Sequence, residues 1–181
     1  MSSATPRLYF TCLGGLETLV VAEMAARLPT AVVEATEFGR VHFLYGGPVR
    51  DLLRLRTVEH LHVRVRELTE VRPERAWLAE LEATLADTDL GPALELRRQV
   101  APLREPPSFR VTGERRGVHD FRSVEMAGFA GAGVVARYGW RVDLEQYDLD
   151  VRVEVRQDRG LIGLRLSPQA LHHRSRIVHM R

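Results

Sequence analysis

Residues 124–135 read VEMAGFAGAGVV, and the glycines inside GFAGAG allow two opposite interpretations. Glycine lets backbone N–H groups come close to an anionic ligand, so the stretch could be a cofactor loop. Small side chains also let a helix lie close to its neighbours, so the same letters could form a packed helix. The choice separates a segment built for chemistry from a segment built for packing.

The spacing of the glycines argues against a cofactor loop. A dinucleotide loop follows a buried strand and reads Gly-x-Gly-x-x-Gly, whereas Gly128, Gly131 and Gly133 have the reverse spacing. The cofactor loop of S-adenosylmethionine methyltransferases often reads Asp-Pro-Phe-x-Gly-x-Gly, but Ala127 and Gly128 stand in place of its Asp and Pro. The preceding FRSVEM is also too polar for a buried parallel strand. We therefore predict no cofactor loop.

The same stretch has the periodicity of a helix that runs from about Asp120 to Tyr138, with Asp120 as N-cap. Each glycine costs about 1 kcal/mol of helix propensity relative to alanine, so close packing on a sheet has to compensate. The predicted inner face comprises Phe121, Val124, Ala127, Gly128, Gly131, Val134, Val135 and Tyr138.

The first 69 residues have the pattern of a ferredoxin-like domain, with elements in the order β-α-β-β-α-β. The predicted strands are 7–12, 31–36, 39–46 and 59–68, and the predicted helices are 16–28 and 48–56.

A second α/β unit is predicted for residues 70–171, followed by 172–181 as a terminal linker. The predicted fold class is therefore α/β (α+β), with two small domains. In the second domain the helices are 74–85, a short one between 92 and 102, and the glycine-containing helix, and the strands are 104–113, 140–144, 150–157 and 160–167.

Neither disulfide nor metal chemistry is indicated. Cys12 is the only cysteine, which excludes an internal disulfide and a multi-cysteine metal site. His60 and His62 share one face of a predicted strand, and His42 could lie nearby. Because they lack acidic or cysteine partners at ligand spacing, we predict surface positions for these histidines and no metal.

Charge is distributed unevenly along the chain. Residues 1–105 contain 13 arginines and 15 acidic residues, whereas residues 106–181 contain 13 arginines and 9 acidic residues. The basic excess of the second part suits a polyanion such as RNA, although solvated surfaces often carry a similar excess. No apolar run approaches the roughly 20 residues of a membrane span, and no secretory signal opens the chain, so we expect a cytoplasmic protein with no membrane partner.

Several passages around the helix resemble a THUMP domain, as found in tRNA guanine-N2-methyltransferases. FTCLGGLETLVVAEM (10–24) similarly resembles the start of the ferredoxin-like domain that precedes THUMP in these enzymes. The resemblance implies tRNA binding, at the acceptor stem and the single-stranded 3′ end. The THUMP-like passages are SFRVTGERRGVHDFRS (108–123), RVDLEQYDLDVRVEV (141–155) and SPQALHHRSR (167–176).

Catalysis is not implied for these 181 residues, because no Asn/Asp-Pro-Pro-Tyr/Phe motif occurs among them. Within the resemblance, S-adenosylmethionine is expected only in a methyltransferase domain in cis or in a catalytic subunit in trans. Residues 172–181 would then form a linker toward the missing domain. The alternative is a stand-alone THUMP adaptor or protein-interaction module without RNA affinity of its own, because fold does not determine function.

Candidate RNA-binding residues are concentrated before the glycine-containing helix, where free N–H groups and the helix dipole favour phosphate. Guanidinium groups suit phosphate because they donate two parallel hydrogen bonds, although nearby acidic residues could neutralise the cluster. We expect Arg110 on a strand, Arg115, Arg116 and His119 in a loop, and Arg122 in the first helical turn. Arg137, at the other end, could instead complement the helix dipole. The predicted set is Arg110, Arg115, Arg116, His119, Arg122, Arg137, Arg174 and Arg176.

Overall fold

The computed structural model describes residues 5–171, which contain seven strands and five helices. The predicted α/β fold class is confirmed. No helix within this range is long and apolar enough to cross a membrane. The elements are β1 (Arg7–Thr11), α1 (Glu17–Arg27), β2 (Val32–Glu37), β3 (Arg40–Leu44), α2 (Val49–Leu52), β4 (His60–Leu68), α3 (Trp77–Asp87), α4 (Gly91–Val100), β5 (Phe109–Arg116), α5 (Ser123–Tyr138), β6 (Leu149–Arg156) and β7 (Arg159–Arg165).

Hydrogen-bonded strands follow the order β2-β3-β1 among residues 5–62 and the order β7-β6-β5 among residues 109–165. Contacts divide the described residues into two compact units, one of residues 5–62 with 166–171 and one of residues 63–165. In the first unit β3 lies between β1 and β2 and is antiparallel to both, as a ferredoxin-like sheet requires. Phe10 stacks on Phe43 with 4.8 Å between ring centroids, and α1 buries Val20 and Met24.

The predicted surface position of the histidines is wrong for two of the three. His62 is fully buried and His42 is 6% exposed. The buried ring of Tyr9 stacks on both, at 4.7 Å from His62 and 5.5 Å from His42 between ring centroids. Alternation along a strand shows which residues share a face, but it does not show whether that face is covered. Within residues 5–171 no group of three or more His, Cys, Asp or Glu residues could hold a metal ion.

In the second unit β6 is parallel to β5 and antiparallel to β7, and α5 packs against α3 and β5. The glycines of α5 serve different neighbours. A Cβ on Gly133 would meet the α3 backbone and lie 2.7 Å from the Cβ of Leu85, whereas a Cβ on Gly131 would lie 3.7 Å from Val111 of β5. Close packing is therefore confirmed, but its tightest point lies against a helix rather than against the sheet.

Helix α5 begins later and faces differently than predicted. Its N-cap is Arg122, in extended conformation, rather than Asp120. Val124 is 71% exposed and Val135 is 41% exposed, although both were predicted to face inward. Small residues occur all around this helix, so the apolar periodicity does not define a single face. The buried residues of α5 are Met126, Ala130, Gly133 and Val134.

Residues 140–144 were predicted to form a strand and form a loop instead. Their one ladder contact within the described range is an isolated bridge between Val142 and Phe109. Asp143 accepts hydrogen bonds from the backbone N–H groups of Glu145 and Gln146, at 3.1 and 2.8 Å. These donors, assisted by Arg141, lower the pKa of the Asp143 carboxyl. The alternating pattern is present in the sequence, but the carboxylate stabilises a turn in its place.

Candidate nucleic-acid interface

Strand β5 separates arginines that were predicted to converge. The strand continues to Arg116 and pairs with β6 along its whole length, so Arg115 and Arg116 are not in a loop. Because side chains alternate along a strand, Arg110 and Arg116 share one face, and Arg115 lies on the other face. The face of Arg115 is the one that carries Gly113, whose added Cβ would lie 2.5 Å from the carbonyl oxygen of Ser123 in α5. Only Arg115 among the three therefore lies on the helix side of the strand.

The N-terminus of α5 carries a cluster that we call the helix-start cluster, formed by Arg75, Arg122 and Glu125. The Glu125 carboxylate accepts a hydrogen bond from the backbone N–H of Arg122 at 2.8 Å. The accepting oxygen, Oε2, also lies 3.6 Å from Nε of Arg122, and the other oxygen, Oε1, lies 2.8 Å from Nη2 of Arg75. The Arg122 N–H, followed by the two guanidinium charges, lowers the pKa of Glu125. A protein carboxylate thus occupies the position predicted for a phosphate.

Two guanidinium groups share this one carboxylate, so the helix-start cluster keeps a positive excess. The side chains of Arg122 and Arg75 are 79% and 66% exposed. A guanidinium has five N–H donors and one carboxylate cannot engage ten, so most donors still face solvent. Arg75 was not among the predicted residues, because it lies far earlier in the chain and only folding brings it to α5.

Residues 115–119 (RRGVH), which include the end of β5 and the turn after it, are held by hydrogen bonds. Nη1 of Arg115 donates to the carbonyl of Gly117 at 2.9 Å, and Nε2 of His119 lies 2.9 Å from the carbonyl of Gln157. Because a carbonyl only accepts, Nε2 carries the proton. Nδ1 of His119 is buried without a partner among residues 5–171, and the His119 ring lies 5.1 Å from that of buried Phe121. In this arrangement His119 joins the turn after β5 to the end of β6.

Replacement of Gly117 by alanine is expected to lower the free energy of unfolding by about 1–3 kcal/mol, because φ is 114° there and an L side chain is strained in that region. A Cβ would also lie 3.1 Å from Cε1 of His119. Urea unfolding followed by circular dichroism measures the change. Gly46→Ala is the matched control, because its Cβ would make an ordinary 3.8 Å contact with Thr5 and its φ is not positive. Equal effects of the two substitutions would contradict the explanation.

The remaining predicted residues are placed elsewhere. Arg110 pairs with Asp150 at 2.9 Å and Arg116 pairs with Glu114 at 3.3 Å, both on the polar face of β5. Nη1 of Arg137 donates to the carbonyl of Ala86 at 3.1 Å. This carbonyl belongs to the last turn of α3, so Arg137 satisfies the end of a neighbouring helix rather than of its own. Arg174 and Arg176 lie outside the described residues.

Comparison with known proteins matches residues 96–165 to the THUMP domain family. The tRNA (guanine(6)-N2)-methyltransferase of Thermus thermophilus is 32% identical over 165 residues, which cover 88% of this chain and 44% of the relative. The crystal structure of TrmN from Thermus thermophilus superposes with a TM-score of 0.73 at 30% identity, covering 91% of this chain and 46% of that one. A probable tRNA sulfurtransferase of Methanothermobacter thermautotrophicus is 45% identical over 60 residues, 33% of this chain and 15% of the relative.

The chain spans less than half the length of each of these relatives. The family match lies in the second compact unit, which carries β5, α5 and the helix-start cluster. The likeness to the Thermus methyltransferase extends over most of the chain. Residues 96–165 of this chain match the THUMP domain family, and most of the chain is similar to part of a tRNA guanine-N2-methyltransferase.

Proposed function

We propose that this chain binds tRNA as the substrate-recognition part of an S-adenosylmethionine-dependent tRNA guanine-N2-methyltransferase. Its relatives are named for two different chemistries, methyl transfer and sulfur transfer. What the names share is the tRNA substrate. A segment common to both therefore suits recognition of tRNA better than it suits either reaction.

The observation that carries the proposal is the helix-start cluster. A backbone phosphate that approaches α5 would replace Glu125 as the partner of Arg75 and Arg122, and it would meet the positive end of the helix dipole. Until then Glu125 holds both guanidinium groups near the helix. Less side-chain freedom remains to be lost when RNA binds, which favours affinity.

The cluster is suited to phosphate rather than to bases. The aromatic rings beneath it, Trp77 and Phe121, are buried and stack on each other at 5.6 Å between centroids. Neither of these rings is thus available for base stacking. Exposed guanidinium groups without an aromatic platform position an RNA backbone and read little sequence. We propose that they contact the acceptor stem and its single-stranded 3′ end, where the geometry of the RNA provides the specificity.

We propose no binding site for the methyl donor S-adenosylmethionine in α5. Gly131 and Gly133 face Val111 and α3, so they serve helix packing. S-adenosylmethionine would belong to a methyltransferase domain, joined in cis or acting in trans. Calorimetric titration of this chain with S-adenosylmethionine is expected to show no binding heat, and a saturable heat would overturn the assignment.

The proposal is tested with a fluorescent acceptor-stem minihelix, prepared with and without its single-stranded 3′ end. The double variant Arg75→Ala/Arg122→Ala is expected to bind about tenfold more weakly, about 1.4 kcal/mol. The plot of log affinity against log salt should become shallower by about 0.7–0.9 for each phosphate that the variant no longer neutralises. Arg7→Ala/Arg54→Ala is the charge-matched control, because these side chains are 58% and 76% exposed and pair loosely with Glu34 at 3.6 Å and with Asp51 at 3.8 Å.

Two results would reject the proposal. One is a wild-type chain that fails to bind RNA at low salt or binds a random duplex equally well, which would favour the adaptor alternative. The other is an equal decrease of affinity in Arg75→Ala/Arg122→Ala and in Arg7→Ala/Arg54→Ala, which would show that net charge alone accounts for binding.

A further inference from the structure

A second group of arginines lies on the polar face of β5, β6 and β7, where Asp150 stands between Arg110 and Arg165. The register pairs Asp150 with Arg110 on β5, and the next antiparallel position on β7 is Arg165. The charges of Arg165 and Asp148 both shift the pKa of Arg97 in α4. We call this the sheet-face cluster, and its charged residues are Arg97, Arg104, Arg110, Arg165, Asp148 and Asp150.

Both carboxylates of the sheet-face cluster are already fully engaged. Asp150 is 2% exposed, and it accepts from Arg110 at 2.9 Å and Thr112 at 2.7 Å and lies 3.2 Å from Arg165. Asp148 accepts from Arg104 at 2.9 Å and from the backbone N–H of Ser108 at 2.8 Å. Burial by itself raises the pKa of Asp148, but these donors outweigh it and lower that pKa.

Arg97 has no ion pair of its own within the described part of the chain. It is 8% exposed, and its Nη1 atom is buried without any hydrogen-bond partner among residues 5–171. Burial lowers the pKa of Arg97, and the nearby charge of Arg165 lowers it further, whereas Asp148 raises it. Nε of Arg110 is also buried without a partner in the same range. The cluster therefore has an excess of guanidinium charge and unused donors.

A buried arginine beside a like charge, with a donor that makes no hydrogen bond, is unfavourable unless an anion completes the site. The other buried residues of α4 are Ala93 and Leu94. Packing beside them would be satisfied by leucine or methionine at position 97 and does not require an arginine. Arg110 is held over the ring of Tyr147 at 4.0 Å, and its side chain is 30% exposed. Arg110 thus forms the solvent-facing rim of a site whose deeper charges are Arg97 and Arg165.

We propose that Arg97, Arg110 and Arg165 form a second phosphate-binding site, which takes a backbone phosphate of the RNA. This inference rests on the proposed function for its ligand. Arg110 and Arg165 share the carboxylate of Asp150, and Arg97 has no ion pair among residues 5–171, so the three guanidinium groups keep a positive excess that a phosphate can neutralise. Phosphate oxygens also match the unused donors. The face that carries this site is opposite to the face of β5 that packs on α5, so RNA contacts would extend beyond the helix-start cluster.

The first experiment uses inorganic pyrophosphate as the probe and needs no RNA. The wild-type melting temperature is expected to rise by about 2–5 °C in pyrophosphate relative to sodium chloride of equal ionic strength. In Arg97→Met the rise should fall to what the helix-start cluster alone contributes. Without ligand, this variant should be as stable as wild type or more stable, since it removes an uncompensated buried charge. A variant that melts earlier and keeps the pyrophosphate response would show that Arg97 is structural and overturn the site.

The second experiment measures binding of the acceptor-stem minihelix. Arg97→Met should bind about fivefold more weakly, with a salt slope shallower by about 0.7–0.9. Arg98→Met is the control, because Arg98 is the next residue of α4 and is occupied by Glu95 and Glu105 at 2.6 and 2.7 Å. Should Arg97→Met fail to fold, Arg110→Gln at the rim replaces it in both experiments.

The two experiments separate the possible failures. A pyrophosphate response that depends on Arg97, together with RNA binding unchanged in Arg97→Met, would show that the site takes a free phosphate compound and would overturn the RNA assignment. Absence of any RNA binding by the wild type would reject the proposed function, while the pyrophosphate experiment would still decide whether the anion site exists. A smaller pyrophosphate response together with weaker RNA binding in Arg97→Met, but not in Arg98→Met, is the result expected.

Discussion

Replacement of Gly133 by leucine is expected to lower the free energy of unfolding by about 3 kcal/mol or more. A Cβ at this position would meet the α3 backbone at Glu82, lie 2.7 Å from the Cβ of Leu85 and lie 3.1 Å from the backbone nitrogen of Ala86. Helix backbones cannot yield as the end of a flexible side chain can, so α3 and α5 must separate. Separation uncovers the buried side chains Leu81 and Leu85 of α3 and Val134 of α5.

Gly128→Leu is the matched control in the same helix. Nothing lies within 4 Å of a Cβ at Gly128, so this substitution should stabilise the chain by about 0.5–1 kcal/mol through helix propensity alone. Urea unfolding of both variants is followed by circular dichroism. The same glycine-to-leucine change should lower the free energy of unfolding at position 133 and raise it at position 128. A Gly133→Leu variant that unfolds at the wild-type urea concentration would show that α3 and α5 do not depend on this contact.

Replacement of Asp150 by alanine is expected to lower the free energy of unfolding by about 3–5 kcal/mol. This carboxylate is 2% exposed and serves Arg110, Arg165 and Thr112. Its removal leaves two partly buried guanidinium groups without a counter-ion, and breaking a buried pair from one side is far more costly than deleting both partners. The variant should unfold at a lower urea concentration.

Two comparisons isolate the electrostatic part of that cost. Glu95→Ala removes the exposed partner of Arg98 and should change stability by less than about 1 kcal/mol. Pyrophosphate should recover part of the stability that Asp150→Ala removes, because the bound anion would replace the missing negative charge. A cost for Asp150→Ala no larger than for Glu95→Ala would show that Arg110 and Arg165 are adequately solvated without a carboxylate.

Part of the candidate site could be predicted from the sequence. Arg115 and Arg122 were predicted from their position before a helix, and Gly117 was part of the quoted motif. The separation of Arg115 from Arg116 could also have been predicted, because the alternation of FRVTGERR continues to Arg116 and places the two on opposite faces. The position of Arg97 was only weakly indicated by the sequence. It follows Leu94 by three residues and Ala93 by four, a spacing that places all three on the buried face of α4.

Other features had no signal in the sequence. Arg75 reaches Glu125 only because the residues before α3 lie beside those before α5, as the hydrogen bond from the Asp120 N–H to the Pro73 carbonyl shows. The face of α5 was mispredicted because alanine and glycine occur on all its sides. His42 and His62 were predicted at the surface because strand alternation does not reveal whether a face is covered.

The sequence by itself determined the order of the strands and helices apart from the strand predicted at residues 140–144, the ferredoxin-like arrangement of the first elements and the likeness to THUMP domains. These features depend on local periodicity and on the order of motifs, both of which can be read along the linear sequence. Only the tertiary structure decided which glycine of GFAGAG meets a neighbouring helix, that Glu125 stands where a phosphate was expected, and that Arg97 is buried without a counter-ion among the described residues. Those properties depend on contacts between distant segments, and packing alone establishes such contacts.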